Sequence, residues 1–469
     1  MLSTSPGTSY VATRMSLRRP SRHELLILAF VAASALAFLY PVNWQDVSRL
    51  GLTQSVALDG SLRIDRYASQ TGDKALFGHH YYSDKAPGMS FAAVPAFEIL
   101  DGAGAVREPE KTRGVWTRYG DLWLLRVATG GLLFLLAVFL IGRAAELVAP
   151  GAGGVAAATF GLGTLAMPLA AVMFGHVGAG TVAFASFLLA WRATESSNKG
   201  RALATAAGAL AGAAVLLEYQ VALAGALVFL YVIVKTRRQS FPIAFCLGAA
   251  TPLVLLGLYN NHAFGSPLHL SYRYTEFESQ QNHFFGVATP SWHGLWETLF
   301  AGKGLVSRSP VVLLAAAGLV LLWRAGKRTE AGLCAATVCA FVLYDAGYFD
   351  PYGGTSPGPR FLVPALPFLA LGFGPAYRKW PRLFICAAVI SLASMIQSSA
   401  TWNESDAWTF VTVWSRWGGL PRGAGGAVVC VTALAALALA FASSRFTMNV
   451  WRTTRPESAS SSSRSAITR

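Results

Sequence analysis

The chain has 469 residues, 54% hydrophobic and only 13% charged, with a mean hydropathy of +0.45. Soluble domains carry about 25% charged residues, so this composition excludes an ordinary soluble globular protein. The formal net charge of +15 is not a nucleic-acid footprint, because Lys and Arg collect in short loops between apolar runs, where they orient helices and meet anionic lipid.

Apolar runs recur at about 17–22 residues, the length of a bilayer-crossing helix. The expected fold is an all-α polytopic membrane protein. The five cysteines (Cys246, Cys334, Cys339, Cys386 and Cys430) all lie inside apolar runs and read as small core residues.

Residues 1–23 are Ser-rich and basic, with Arg14, Arg18, Arg19 and Arg22, and read as a cytoplasmic lead. The apolar run 24–40 reads as an uncleaved first helix that stops at Tyr40-Pro41. From 41 to 120 charged and aromatic residues interleave, including Trp44, Asp46, Arg49, Asp59, Asp73 and Lys74. Such a loop is too long for a connector and too aromatic for disorder. Within it, the apolar stretch 89–100 is too short to span, which predicts an interfacial helix.

The later runs fall at 121–142, 152–173, 177–191, 202–217, 220–234, 241–259, 309–323, 331–348, 361–377, 382–398 and 425–443. With the first run this makes about 12 transmembrane helices. If 89–100 does not span, every clear basic cluster after the first loop falls inside, as the positive-inside rule asks. Both termini are then cytoplasmic. The first outer loop (41–120), the second long outer loop (260–308) and the turns at 174–176, 218–219 and 348–360 share the outer face. The transmembrane domain covers 24–443, and the Ser/Arg-rich segment 444–469 reads as a disordered cytoplasmic tail.

Chemistry-bearing residues concentrate on that outer face. Asp46 follows the first helix, where a carboxylate can take a proton from an acceptor hydroxyl or bind a divalent cation. In Tyr81-Tyr82-Ser83-Asp84-Lys85-Ala86-Pro87-Gly88, Lys85 suits a phosphate, and Asp84 either orients it or acts on the acceptor. His176 is a structural histidine or a substrate contact. Glu218 is a carboxylate at a membrane edge, a site candidate by default. The segment 353–360 is Gly/Pro-rich but lacks the Gly-Lys-Ser/Thr ending of a nucleotide loop. Its Arg360 snorkels to the interface or offers a second anion contact.

The acidic residue after helix one, the long first outer loop and the Tyr82-Ser83-Asp84-Lys85-Ala86-Pro87-Gly88 element resemble the GT-C superfamily of membrane glycosyltransferases. The branch is that of protein mannosyltransferases and the lipid A aminoarabinose transferase, where a Lys-Pro-Pro element stands in the place of Lys85-Ala86-Pro87. The run Gly353-Gly354-Thr355-Ser356-Pro357-Gly358-Pro359-Arg360-Phe361-Leu362, with Pro364 and Pro367, resembles a pattern in bacterial members.

The resemblance implies a GT-C helical bundle and inverting transfer from a polyprenyl-phosphate sugar at an extracytoplasmic site of the inner membrane. It implies Asp46 as catalytic base, Lys85 at the lipid phosphate, and Tyr82, Asp84, Arg49, His176, Glu218 and Arg360 around the substrate. Two departures stand out. A single Asp46 replaces an acidic pair, and His176 replaces the second acid, which puts a divalent-cation requirement in question. No large outer domain follows the last run, so acceptor recognition is expected from the loops. The acceptor is a glycan, a lipid or a protein. The alternative function is a transporter or flippase of lipid-linked sugars or anions, which should carry mid-membrane charges or paired broken helices. A third is a non-catalytic assembly subunit.

Overall fold

The computed structural model describes residues 20–40, 42–104, 119–196, 198–402 and 424–453. The basic lead up to residue 19 and the segment from 454 lie outside them, as does 105–118 of the first loop.

Helix α1 (Arg22–Ala35) opens on a capping box in which Ser21 and Glu24 satisfy each other's backbone N–H groups. Helix α2 (Trp44–Asp59) lies inside the expected first loop. Its cap is reciprocal: Asp46 N–H donates to Asn43 Oδ1 at 3.0 Å, and Asn43 N–H donates to Asp46 Oδ2 at 3.3 Å. Every residue from Gln45 to Ser55 is buried, so this stretch is an interior helix and not a solvated loop.

A hairpin follows, which the sequence reading did not anticipate. Strands β1 (Lys74–Phe77) and β2 (His80–Ser83) pair antiparallel, Lys74 opposite Ser83 and Phe77 opposite His80. The hairpin delivers the chain to Lys85 at a fixed place. The Ser83 hydroxyl accepts from the Lys85 N–H at 3.2 Å and bonds the Ser48 hydroxyl at 2.8 Å. Helix α3 (Gly88–Gly102) is the expected short apolar helix, 15 residues with Pro95 inside it. At 1.5 Å per residue it measures about 22 Å, less than the hydrocarbon thickness of about 30 Å.

Helices α4 (Tyr119–Arg126) and α5 (Leu132–Val148) are joined by a π-turn at Val127–Gly131. Helix α6 (Gly153–Gly163) ends early. The expected run 152–173 is therefore not one helix: residues 165–172 form buried turns, whose free backbone groups are available to neighbouring side chains. Then come α7 (Gly175–Glu195), α8 (Gly200–Leu217), α9 (Ala222–Lys235) and α10 (Ser240–Phe264). Helices α8 and α10 approach closely where Gly208 faces the Phe245 carbonyl and Gly248 faces the Thr205 carbonyl, the small-residue packing that membrane helices use.

The second outer loop carries short helices α11 (Glu278–Gln281), α12 (Trp292–Leu299) and α13 (Leu305–Arg308). Helices α14 (Val311–Arg324) and α15 (Arg328–Gly347) follow. The run expected at 361–377 is broken: Arg360–Ala370 and Phe373–Lys379 meet at 58°. Their α-helical parts are α16 (Leu366–Ala370) and α17 (Phe373–Lys379). Helix α18 (Pro381–Thr401) and helix α19 (Ala424–Thr453) close the fold. The last helix thus runs past the expected boundary at 443.

Among the described residues seven helices are long and apolar enough to cross a membrane, eight if the bent pair counts as one span. The other runs in the expected count of about twelve form the shorter helices α1, α6, α9 and α14. The chain is a multi-pass α-helical membrane protein.

Candidate active site

A cavity of about 470 Å³ opens between α2, the hairpin and the segments 272–280 and 348–361, within the usual size range for a small-molecule site. Its wall includes Lys85, His176, Glu218 and Arg360. Residues far apart in sequence, each proposed for its own local reason, thus share one chamber.

Lys85 leaves the hairpin with its ammonium 2.8 Å from Asp84 Oδ2 and 3.3 Å from Asp73 Oδ1. An ammonium has three donors, so two carboxylates leave one N–H for a ligand. Asp84 is fully buried and lies behind Lys85; its Oδ1 accepts from the Ser48 hydroxyl at 3.3 Å. Burial pushes the Asp84 carboxyl up to about 6, against the pull of Lys85. Tyr82 is buried against the Phe264 ring at 5.4 Å and is not on the wall.

Glu218 sits at the break after α8, where the backbone turns extended (φ −154°, ψ 123°). Arg49, fully buried on α2, reaches its Oε1 with Nη2 at 2.5 Å. The other Arg49 nitrogen, Nη1, donates to Gln45 Oε1. His176, in the first turn of α7, places Nδ1 3.0 Å from the same Glu218 oxygen, a contact whose alignment falls short of a hydrogen bond. Burial opposes the Glu218 charge, but His176 and Arg49 outweigh it and hold the carboxyl down at about 2. This triad fastens α2, α7 and the end of α8 to one another at the cavity, which His176 and Glu218 line.

Arg360 carries no carboxylate among the described residues. Its guanidinium lies over the rings of Phe174 at 5.4 Å and Phe361 at 5.3 Å, and its Nε has no hydrogen-bond partner. The neighbouring turn needs glycine. Gly353 has φ +67°, and a Cβ there would stand 2.6 Å from Arg360 Nε. Asp350 closes the turn, accepting from the N–H of Tyr352 at 3.1 Å and of Gly354 at 2.5 Å.

Asp46 does not line the cavity, although Asn43, Trp44 and Gln45 beside it do. It is fully buried with both oxygens engaged. Oδ2 takes Arg126 Nη2 at 2.5 Å and Oδ1 takes the Met173 N–H at 3.0 Å. Arg126 Nη1 also donates to the Tyr40 carbonyl at 2.7 Å. Asp46 thus ties α2, α4 and the broken stretch before α7 together. With both oxygens engaged it has no open ligand position for the divalent cation that the sequence offered it.

Sequence reasoning missed three groups. Arg126 was hidden by its apolar run, although a charge inside such a run is itself a signal. Asp73 was one of many loop acids. Gln280 had no distinguishing context.

No protein-family model and no curated protein matches the sequence. Solved structures do. The chain is similar to apo ArnT from Cupriavidus metallidurans, with 15% identity and a TM-score of 0.51, over 90% of this chain and 76% of that one. It is also similar to the arabinosyltransferase EmbB from Mycobacterium smegmatis, with 14% identity and a TM-score of 0.51, over 96% of this chain but only 42% of that one. At these identities the likeness is one of fold.

Proposed function

We propose that the protein is a glycosyltransferase of the cytoplasmic membrane that moves a sugar from a polyprenyl-phosphate donor to an extracytoplasmic acceptor. The observation that carries this reading is the two cations that line the cavity: Arg360, without an acidic partner among the described residues, and Lys85, with one donor open. A buried or half-buried cation without a partner is costly, and an anion entering the cavity supplies the missing charge.

The chemistry follows from what such a donor is. Its lipid lies in the bilayer, its phosphate at the interface and its sugar in the cavity. As the bond from the sugar to the phosphate oxygen breaks, negative charge grows on the phosphate. Arg360 and Lys85 meet that charge where it develops, the form of stabilisation that lowers a barrier most. The acceptor oxygen attacks from the opposite face, giving inversion. The triad of Arg49, His176 and Glu218 fastens α2, α7 and the end of α8 at the cavity, and Asp46 with Arg126 holds the wall that carries Asn43, Trp44 and Gln45. The basic loops between the helices support an outer-face position for this cavity. The similarity to the arabinosyltransferase EmbB supports the same reaction class.

The test is transfer from defined polyprenyl-phosphate sugars by the reconstituted protein and by Lys85→Ala and Arg360→Ala. Losing one charge-assisted contact of about 1.5–3 kcal/mol should lower kcat/KM about 10–100-fold in each variant. Undiminished transfer in both would overturn the assignment.

A further inference from the structure

The donor reading leaves part of the cavity wall unused. It includes Trp44, Asn43, Gln45, Gln280 and Asp73, the last 3.3 Å from Lys85. Trp44 is 56% exposed, yet it is held rigidly. Its carbonyl accepts the Thr71 hydroxyl at 2.9 Å. Gly72 packs beneath the indole so closely that a Cβ would stand 2.7 Å from Cζ3, and Phe277 flanks it at 6.2 Å. One surface of the ring is therefore backed by protein and the rest is open.

The polar groups beside it are neutral amides with capacity to spare. Asn43 Nδ2, Gln45 Nε2 and the whole Gln280 side chain have no hydrogen-bond partner among the described residues, although Gln45 and Gln280 are only 5% exposed. A fixed aromatic plane ringed by unspent amide donors and acceptors is what a sugar ring requires: C–H groups lie on the aromatic face and hydroxyls meet the amides. A lipid-facing indole at a membrane edge would instead have apolar neighbours.

Asp73 adds the reactive group. Among the acids near the cavity, Asp46 has both oxygens engaged, Glu218 is held by Arg49 and His176, and Asp350 caps its turn with both oxygens. Asp73 lines the cavity and spends only Oδ1, on Lys85 at 3.3 Å. Its Oδ2 has no partner among the described residues.

We infer that this wall is the acceptor subsite, that it takes a neutral carbohydrate by stacking on Trp44, and that Asp73 is the general base. The inference rests on the proposed transfer reaction. In the step, the acceptor hydroxyl gives its proton to Asp73 Oδ2 while its oxygen forms the bond to the sugar's anomeric carbon. The bond from that carbon to the phosphate oxygen breaks, and its electron pair leaves with the lipid phosphate.

The test separates acceptor binding from transfer. Full-length protein in nanodiscs is titrated with mannotetraose, maltotetraose and arabinotetraose by saturation-transfer NMR and calorimetry, with and without undecaprenyl phosphate. Wild type should bind at least one of them, and Trp44→Ala should weaken that binding about tenfold, the loss of one stacked aromatic contact. Asp73→Asn should still bind the sugar and, with Lys85 released from one carboxylate, bind the lipid phosphate at least as tightly as wild type, but lose about 10²–10⁴-fold in kcat, and Asp73→Glu should restore part of it. A wild type that binds none of the three sugars at about 10 mM, the weak end of specific recognition, or a Trp44→Ala that binds them equally, overturns the subsite. So does quenching of Trp44 by brominated lipid, which would place the indole in the bilayer. An Asp73→Asn variant with wild-type kcat overturns the base alone. Failure of wild type to bind undecaprenyl phosphate defeats the donor reading instead, while the sugar titration still decides the subsite.

Discussion

Asp46→Asn is the sharpest probe of how the cavity wall is held. The carboxylate is fully buried and accepts from Asn43 N–H at 3.3 Å, Met173 N–H at 3.0 Å and Arg126 Nη2 at 2.5 Å. An amide keeps one oxygen, enough for one of the backbone bonds, but turns an N–H₂ toward a donor. Arg126, 1% exposed, then loses its charge-assisted bond to this carboxylate. Removing one partner of a buried pair costs about 3–5 kcal/mol. The assay is the denaturation midpoint of purified protein in detergent. Asp46→Asn should lower it clearly, and adding Arg126→Met should recover part of the loss, giving a coupling of about 0.5–3 kcal/mol in the double-mutant cycle. An Asp46→Asn protein as stable as wild type would refute the role of Asp46 as an anchor and return it to the list of candidate bases.

Two pH windows should be separable. The folded Asp84 carboxyl is raised from 3.8 to about 6, so the folded state holds its proton where the unfolded chain has lost it. Stability therefore falls as pH rises through that window, and Asp84→Asn should abolish this slope in a pH series of denaturation midpoints. Glu218 runs the other way: its folded carboxyl lies at about 2 against an ordinary 4.5. Its contribution is present above 4.5 and is lost as pH falls toward 2, and Glu218→Gln should remove that loss. Gly353→Val, which strains a φ of +67° and crowds Arg360 Nε, should weaken donor binding without removing any charge. A lipid-phosphate titration matching wild type would show that Arg360 is free to move.

Part of this site was legible in the sequence. Lys85, His176, Glu218 and Arg360 each stood at a helix end beside apolar segments, and a charge in that setting is costly unless used or paired. Asp46 was legible as a candidate, but its partners were not. Its partners are Arg126, in another helix, and the Met173 N–H, freed only because the run 152–173 breaks after Gly163. Composition gives no hint of that break, because the segment stays apolar throughout. The bend at 58° within 361–377 was hidden in the same way. The hairpin was missed because a loop rich in charges masks two strands of four residues. Asp73 and Gln280 became visible only when tertiary packing brought them to one cavity with Trp44.

The most direct measurement for the central claim is the affinity of reconstituted protein for undecaprenyl phosphate, compared with Lys85→Ala, Arg360→Ala and the double variant. If both cations hold the phosphate, each single change weakens binding about 10–100-fold, and the double variant weakens it further. Equal affinity in wild type and the double variant would contradict the account, because the two cations would then hold no phosphate.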